Sequence, residues 1–178
     1  MSLVYFSLGS NLSDRYGNLR RALALLQEHV RITAVSPVFA TEPWGDLDQP
    51  PFLNICAAAV TSLSPHELLA NAQQIEQDIG RQPSRHWGPR LIDIDILFYD
   101  NLILRDEQLT IPHPRVAERA FVLAPLAVIV PNLRHPQTGA TVQEMLELVD
   151  TSGVERLLEM PFPTDDREVR REFETVQG

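Results

Sequence analysis

An α+β fold is what this sequence predicts: a ferredoxin-like βαββαβ core with a mainly antiparallel sheet, helices packed on it, and further strands and helices appended at the C-terminal side. Three observations carry that expectation. Strand-like runs at residues 3–8, 32–39, 52–61 and 92–98 alternate with helical periodicities at 14–29 and 64–79, which gives the order β-α-β-β-α-β over residues 3–99. No Gly-x-Gly-x-x-Gly follows a strand and no Gly-Lys-Ser/Thr loop occurs, so a doubly wound nucleotide-binding fold fits poorly. A length of 178 residues with 44% apolar side chains suits one domain with a substantial core.

The elements follow in order. Residues 3–8 form a strand ending at Gly9-Ser10-Asn11, and a helix over 14–29 aligns Leu19, Ala22, Leu23 and Leu26 on one face, with Ser13 as its expected N-cap. Residues 32–39 read as one strand and 52–61 as another, separated by a proline-rich loop at 41–51. Ser64-Pro65-His66-Glu67 combines a cap, a first-turn proline and a capping-box glutamate. Leu68, Ala72, Ile75 and Ile79 then make the buried stripe that Gly80 terminates. After the loop 81–89, Asp93 opens a strand whose residues Ile92, Ile94, Ile96 and Phe98 are expected on one apolar face. Short strands at 102–104 and 108–112 and a helix over 121–130 complete the reading. The domain is expected to end near residue 150, with 151–178 a polar, loosely attached extension.

A formal charge of −9 excludes a broad basic surface for nucleic acid. All 15 cations are arginine, so no lysine can act as a nucleophile, Schiff base or phosphate anchor. Cys56, the single cysteine, reads as a small buried residue in a reducing compartment. With no leader-like segment and no bilayer-length apolar run, the chain is expected to be cytoplasmic, away from membranes.

The chemistry concentrates at Asp93-Ile94-Asp95. Residues two apart on a strand share a face, so these carboxylates stand side by side and repel unless a cation lies between them. Hard oxygen ligands of this kind suit Mg²⁺. Two acids on a strand are often only solvated, but the apolar neighbours Ile92, Ile94 and Ile96 argue for a position well inside a sheet. Arg81, Arg85 and Arg90 lie just upstream and are suited to phosphate. Phe52 and Asn54 share another strand face, offering an aromatic surface and an amide amid apolar residues.

Taken together, Gly9-Ser10-Asn11-Leu12, Thr41-Glu42-Pro43, Phe52-Leu53-Asn54, Gly80-Arg81, Arg85-His86-Trp87-Gly88-Pro89-Arg90, Asp93-Ile94-Asp95 and Pro112-His113-Pro114 resemble the 6-hydroxymethyl-7,8-dihydropterin pyrophosphokinase family of folate biosynthesis. The resemblance implies transfer of pyrophosphate from ATP to the pterin hydroxymethyl group, giving AMP, with two Mg²⁺ ions held by Asp93 and Asp95. It implies Arg81, Arg90, Asp93 and Asp95 as catalytic residues. Around ATP it places Gln73, Glu76, Arg85, Trp87, Arg90, Ile96, Thr110, His113 and Arg119. Around the pterin it places Thr41, Glu42, Trp44, Phe52, Asn54, Asp95 and Phe121. The chain departs from the family pattern in a loop one residue shorter at 81–87, with Pro83-Ser84 in place of a basic pair, and in Pro114 where an aromatic is common. The partners so implied are ATP and the pterin alone, bound by a monomer. Two alternatives stay open: a two-metal nucleotidyl transferase, which would release pyrophosphate, and a non-catalytic binding module, which would not turn over ATP.

Overall fold

In the computed structural model, which describes residues 1–42, 48–80 and 90–161, strand β1 (Ser2–Ser10) is enclosed on both sides. It leads through α1 (Arg15–Gln27) to β2 (Arg31–Val35), β3 (Phe39–Thr41) and β4 (Phe52–Thr61), then through α2 (Pro65–Ile79) to β5 (Asp93–Tyr99). A small hairpin of β6 (Leu104–Arg105) and β7 (Thr110–Ile111) follows, then α3 (Ala120–Ile129), α4 (Val142–Glu147) and β8 (Val154–Arg156). The main sheet runs β5-β1-β4-β3-β8, with β2 also paired to β4, and every pairing is antiparallel. This is the expected α+β architecture.

Alternation along β1 and β4 divides the interior in two. Phe6, Leu8 and Ile55 pack under Leu19 and Leu23 of α1 and Leu68 and Ile75 of α2. On the other face Tyr5, Cys56 and Ala58 pack under Leu123 and Leu126 of α3, with Met145 of α4. Small side chains on β4 let α3 approach the sheet. Cys56 is fully buried, and burial pushes its thiol pKa up, so it behaves as core.

Helix α2 begins with the expected capping box: Ser64 Oγ accepts from Glu67 N, and the Glu67 carboxylate accepts from Ser64 N. Gly80 ends it with φ +108°, a left-handed conformation that favours glycine. Elsewhere the structure corrects the sequence reading. The N-cap of α1 is Asp14, which accepts from Gly17 N, while Ser13 takes a positive φ. The run 32–39 is two strands, because Pro37 has no N–H for the ladder. Ser36 Oγ accepts the Cys56 N–H and the register gains a residue there. A bulge between β1 and β5 shifts the pairing between Tyr5 and Phe6, so Phe98 leaves the face of Ile92, Ile94 and Ile96 and joins the second core, edge-on to Tyr5. Leu102 and Ile103, expected in a strand, are exposed, and pairing starts only at Leu104.

The segment beyond residue 150 is not loosely attached over its first part. β8 pairs with β3, Val38 N donates to Leu158 O, Leu157 N donates to Val38 O, and Met160 is buried in the first core. Met160→Ala is therefore expected to cost about 2 kcal/mol or more in denaturant unfolding. An unchanged midpoint would mean that this segment contributes nothing to the fold.

Candidate active site

The sheet register brings the site together. Gly9 lies opposite Asn54 on one side and Asp93 on the other, and Ser7 lies opposite Asp95. Asn54 and Asp93 are thus two strand spacings apart in one row, about 10 Å. Glycine is needed between them: a Cβ at Gly9 would sit 2.7 Å from Asn54 Oδ1. Asn54 is buried and its Nδ2 donates to Thr41 Oγ1 at 2.8 Å, so the amide is held by β3 before any ligand arrives.

At the acidic end, the Asp93 and Asp95 side chains remain about a third exposed, at 32% and 31%. Arg90 Nη1 donates to Asp93 Oδ1 at 2.9 Å, and Arg119 Nη1 lies 3.4 Å from Asp95 Oδ2. The Arg119 guanidinium also lies 5.5 Å from the centre of the Phe121 ring, which links the charged end to an aromatic wall. His113 Nδ1 accepts from Arg115 N at 3.1 Å, so the neutral ring carries its proton on Nε2, 3.7 Å from Asp95 Oδ2. Burial, aided by the Arg119 charge, pushes the His113 pKa down to about 4.

Two buried side chains hold this end in place. Glu76 of α2 is 4% exposed and accepts the Ile94 N–H of β5 at 2.8 Å, which accounts for a carboxylate in the interior. Asn11, fully buried just after β1, accepts from Arg90 N at 2.7 Å and donates its amide to Gln49 Oε1 at 2.8 Å and Pro50 O at 3.2 Å. Its own N–H donates to Arg90 O. One asparagine therefore ties the chain after residue 89 to the chain before residue 51.

These groups surround a cavity of about 560 Å³, within the range for a small-molecule site. Thr41, Glu42, Phe52, Asn54 and Phe121 line one part of it. Gln73, Glu76, Arg90, Asp93, Asp95, His113 and Arg119 also line it. Ile96 is packed in the first core, on the strand face opposite the aspartates, and Thr110 sits in the β6-β7 hairpin; neither is in the cavity wall. Trp44, Arg81, Arg85 and Trp87 lie outside the described residues, as do most of the two proline-rich loops. Sequence reasoning missed Ser7, Gly9, Leu69, Ile94, Pro114 and Arg115 as wall residues. Period-two alternation from Gly9 would have found Ser7, whereas Arg115 carries no signal beyond its place two residues after His113.

Among the described residues, no cluster of three or more His, Cys, Asp or Glu side chains can hold a metal by itself. A cation at Asp93 and Asp95 would complete its coordination from water and ligand oxygens. That donor set fits Mg²⁺ with a polyphosphate, and does not fit a closed structural zinc site.

The depressed His113 pKa has a measurable sign. Its folded value lies below the ordinary 6.5, so the stability it contributes is present above pH 6.5 and is lost as the pH falls toward about 4. In the ligand-free protein the His113 ring is expected to titrate by NMR near 4; a midpoint at 6 or above would contradict the buried, neutral assignment.

Comparison with known proteins gives the family. The family model of 7,8-dihydro-6-hydroxymethylpterin-pyrophosphokinase matches residues 5–131. The 2-amino-4-hydroxy-6-hydroxymethyldihydropteridine pyrophosphokinase of Methylorubrum extorquens is 46% identical over 159 residues, covering 88% of this chain and 99% of that one. The enzyme of the same name from Bacillus subtilis is 46% identical over 145 residues, covering 80% and 87%. Folic acid synthesis protein fol1 of Schizosaccharomyces pombe is 42% identical, and the match spans only 21% of its length. The solved Plasmodium falciparum HPPK-DHPS with pteroate superposes with a TM-score of 0.68 at 17% identity, over 83% of this chain and 42% of that one, a likeness of fold. The chain belongs to the 7,8-dihydro-6-hydroxymethylpterin-pyrophosphokinase family.

Proposed function

We propose that the cavity between Asn54 and the Asp93-Asp95 pair is the active site in which the hydroxymethyl oxygen of 6-hydroxymethyl-7,8-dihydropterin attacks the β-phosphorus of ATP. The protein is a pyrophosphokinase of folate biosynthesis that uses ATP and hydroxymethyldihydropterin. The new bond joins the pterin oxygen to the β-phosphorus, the bond from that phosphorus to the α-bridging oxygen breaks, AMP leaves, and the hydroxyl proton passes to solvent.

The observation that carries this assignment is the single sheet row. It sets the buried Asn54 amide and Asp93, the first of the two acids, about 10 Å apart, a separation suited to a pterin ring at one end and phosphates at the other. Asn54, positioned by Thr41, offers hydrogen bonds to the pterin edge, while Phe52 and Phe121 offer faces for its ring. Arg90 and Arg119 are charged donors for phosphate oxygens, and neutral His113 offers an Nε2–H. Asp93 and Asp95 would hold two Mg²⁺ ions, whose chemistry when bound is to neutralise phosphate charge and align the reacting oxygens. Gln73 and Glu76 form the wall beside the nucleotide, with Glu76 also fixing β5. Arg81, Arg85, Trp87 and Trp44, outside the described residues, remain proposed ligand contacts.

Cys56 is free and buried, in keeping with a reducing cytoplasm. No helix among the described residues is long and apolar enough to cross a membrane.

Incubation with ATP, Mg²⁺ and the reduced pterin is expected to release AMP, whereas release of pyrophosphate would point to nucleotidyl transfer instead. Asp93→Asn or Asp95→Asn is expected to lower turnover by roughly 100-fold or more in a folded protein, since each removes a negative ligand from the phosphate end; rates within a few-fold of the parent would remove the metal assignment. Asn54→Ala is expected to weaken pterin binding by roughly 1–3 kcal/mol through unpaired ring-edge groups, with ATP binding little changed. Calorimetry that found the ATP affinity lost and the pterin affinity kept would reverse the two ends of the site.

A further inference from the structure

We propose that Arg115 is a nucleotide-binding residue, whose guanidinium exchanges the Glu118 carboxylate for the phosphate chain of ATP when the cavity fills. The proposal rests on the nucleotide end of the cavity being where the preceding section puts it. Three arginines among the described residues line the cavity: Arg90, Arg115 and Arg119. Arg90 is drawn to Asp93 and Arg119 to Asp95, so both cations lie on the acid pair itself. Arg115 is placed differently. Its Nε lies 3.4 Å from Glu118 Oε2, a long contact to a carboxylate that is 63% exposed and does not line the cavity. An ion pair of that kind is worth little in water and is readily exchanged. A phosphate presents the same planar guanidinium with more negative charge in a less hydrated setting, and arginine binds it with parallel N–H donors.

The backbone delivers Arg115 to the cavity independently of its side chain. His113 lies between Pro112 and Pro114, Arg115 N donates to His113 Nδ1 at 3.1 Å, and Val116 N donates to His113 O at 3.1 Å. This compact turn points the proton-bearing His113 Nε2 and the Arg115 guanidinium into one wall of the cavity. Removing the Arg115 side chain leaves the amide that fixes the His113 tautomer, so Arg115→Ala tests the guanidinium and spares the turn. The electrostatic balance points the same way. Among the described residues of this wall, Glu42, Glu76, Asp93 and Asp95 face three arginines and His113, so a polyphosphate gains from each cation that the cavity holds.

The test begins with calorimetric binding of Mg·ATP to the full-length protein. Failure of the parent to bind would remove the reading on which the proposal rests, and the proposal with it. With binding established, Arg115→Ala is expected to raise KM for ATP about tenfold or more while KM for the pterin stays within twofold, and Arg115→Lys is expected to recover part of the loss. Glu118→Gln is expected to lower KM for ATP two- to threefold by releasing Arg115, and that gain should vanish in the Arg115→Ala background. A KM for ATP within twofold of the parent in Arg115→Ala, or an equal gain from Glu118→Gln with and without Arg115, would overturn it.

Discussion

The arrangement depends on the register of β1 between β4 and β5. Because Gly9 faces Asn54 on one side and Asp93 on the other, an amide and a carboxylate from strands far apart in sequence fall in one line on one face of the sheet. A shift of one residue in either pairing would turn one of those groups into the helical core on the opposite face. The register is held by burial as well as by hydrogen bonds. Phe6, Leu8, Ile55, Ile94 and Ile96 occupy the face under α1 and α2, and none of them is stable pointing the other way. The apolar face thus fixes the geometry of the polar one.

Around that row the protein uses buried polar side chains as fasteners. Asn11 and Glu76 each have backbone amides as hydrogen-bond partners, and each joins segments distant in sequence. A buried polar group without partners costs free energy, so such residues stabilise the fold only in the arrangement that satisfies them. They therefore select a conformation more than they add stability. Asn11 does this for the two chain segments that bound the cavity mouth, and Thr41 does it on a smaller scale for Asn54.

Much of this was legible in the sequence, for local reasons. The helix from Ser64 to Gly80 announces both ends through caps, and Asp93-Ile94-Asp95 declares its two faces by alternation. Asn54 stood out because an amide among apolar residues demands a partner. The less legible features are non-local. Pro37 breaks the strand read at 32–39, and the break is tolerated only because Ser36 substitutes a hydroxyl for the missing pairing, which requires Cys56 opposite. The flip of Phe98 follows from a bulge set by the partner strand. β8 is too short and polar to read as a strand, and it exists because β3 offers it an edge. Arg115 is placed in the cavity by a turn, and turns leave no periodic trace.

The Glu76 contact also bears on how the molecule behaves toward its own kind. β5 ends the sheet, and a terminal strand normally offers free amides and carbonyls to any passing strand. Here the Ile94 amide is taken by Glu76 and the Leu97 carbonyl by the His113 amide, so the side of the sheet nearest the aspartates is closed by groups that cannot propagate a ladder. On the far side the edge strands are short: β2 has five residues, and β8 has three and exposes Glu155 and Arg156. A protein that must keep a sheet edge beside an open, wet cavity is in this way protected from stacking edge to edge, and the residues that supply the protection at the β5 end are among those that form the cavity wall.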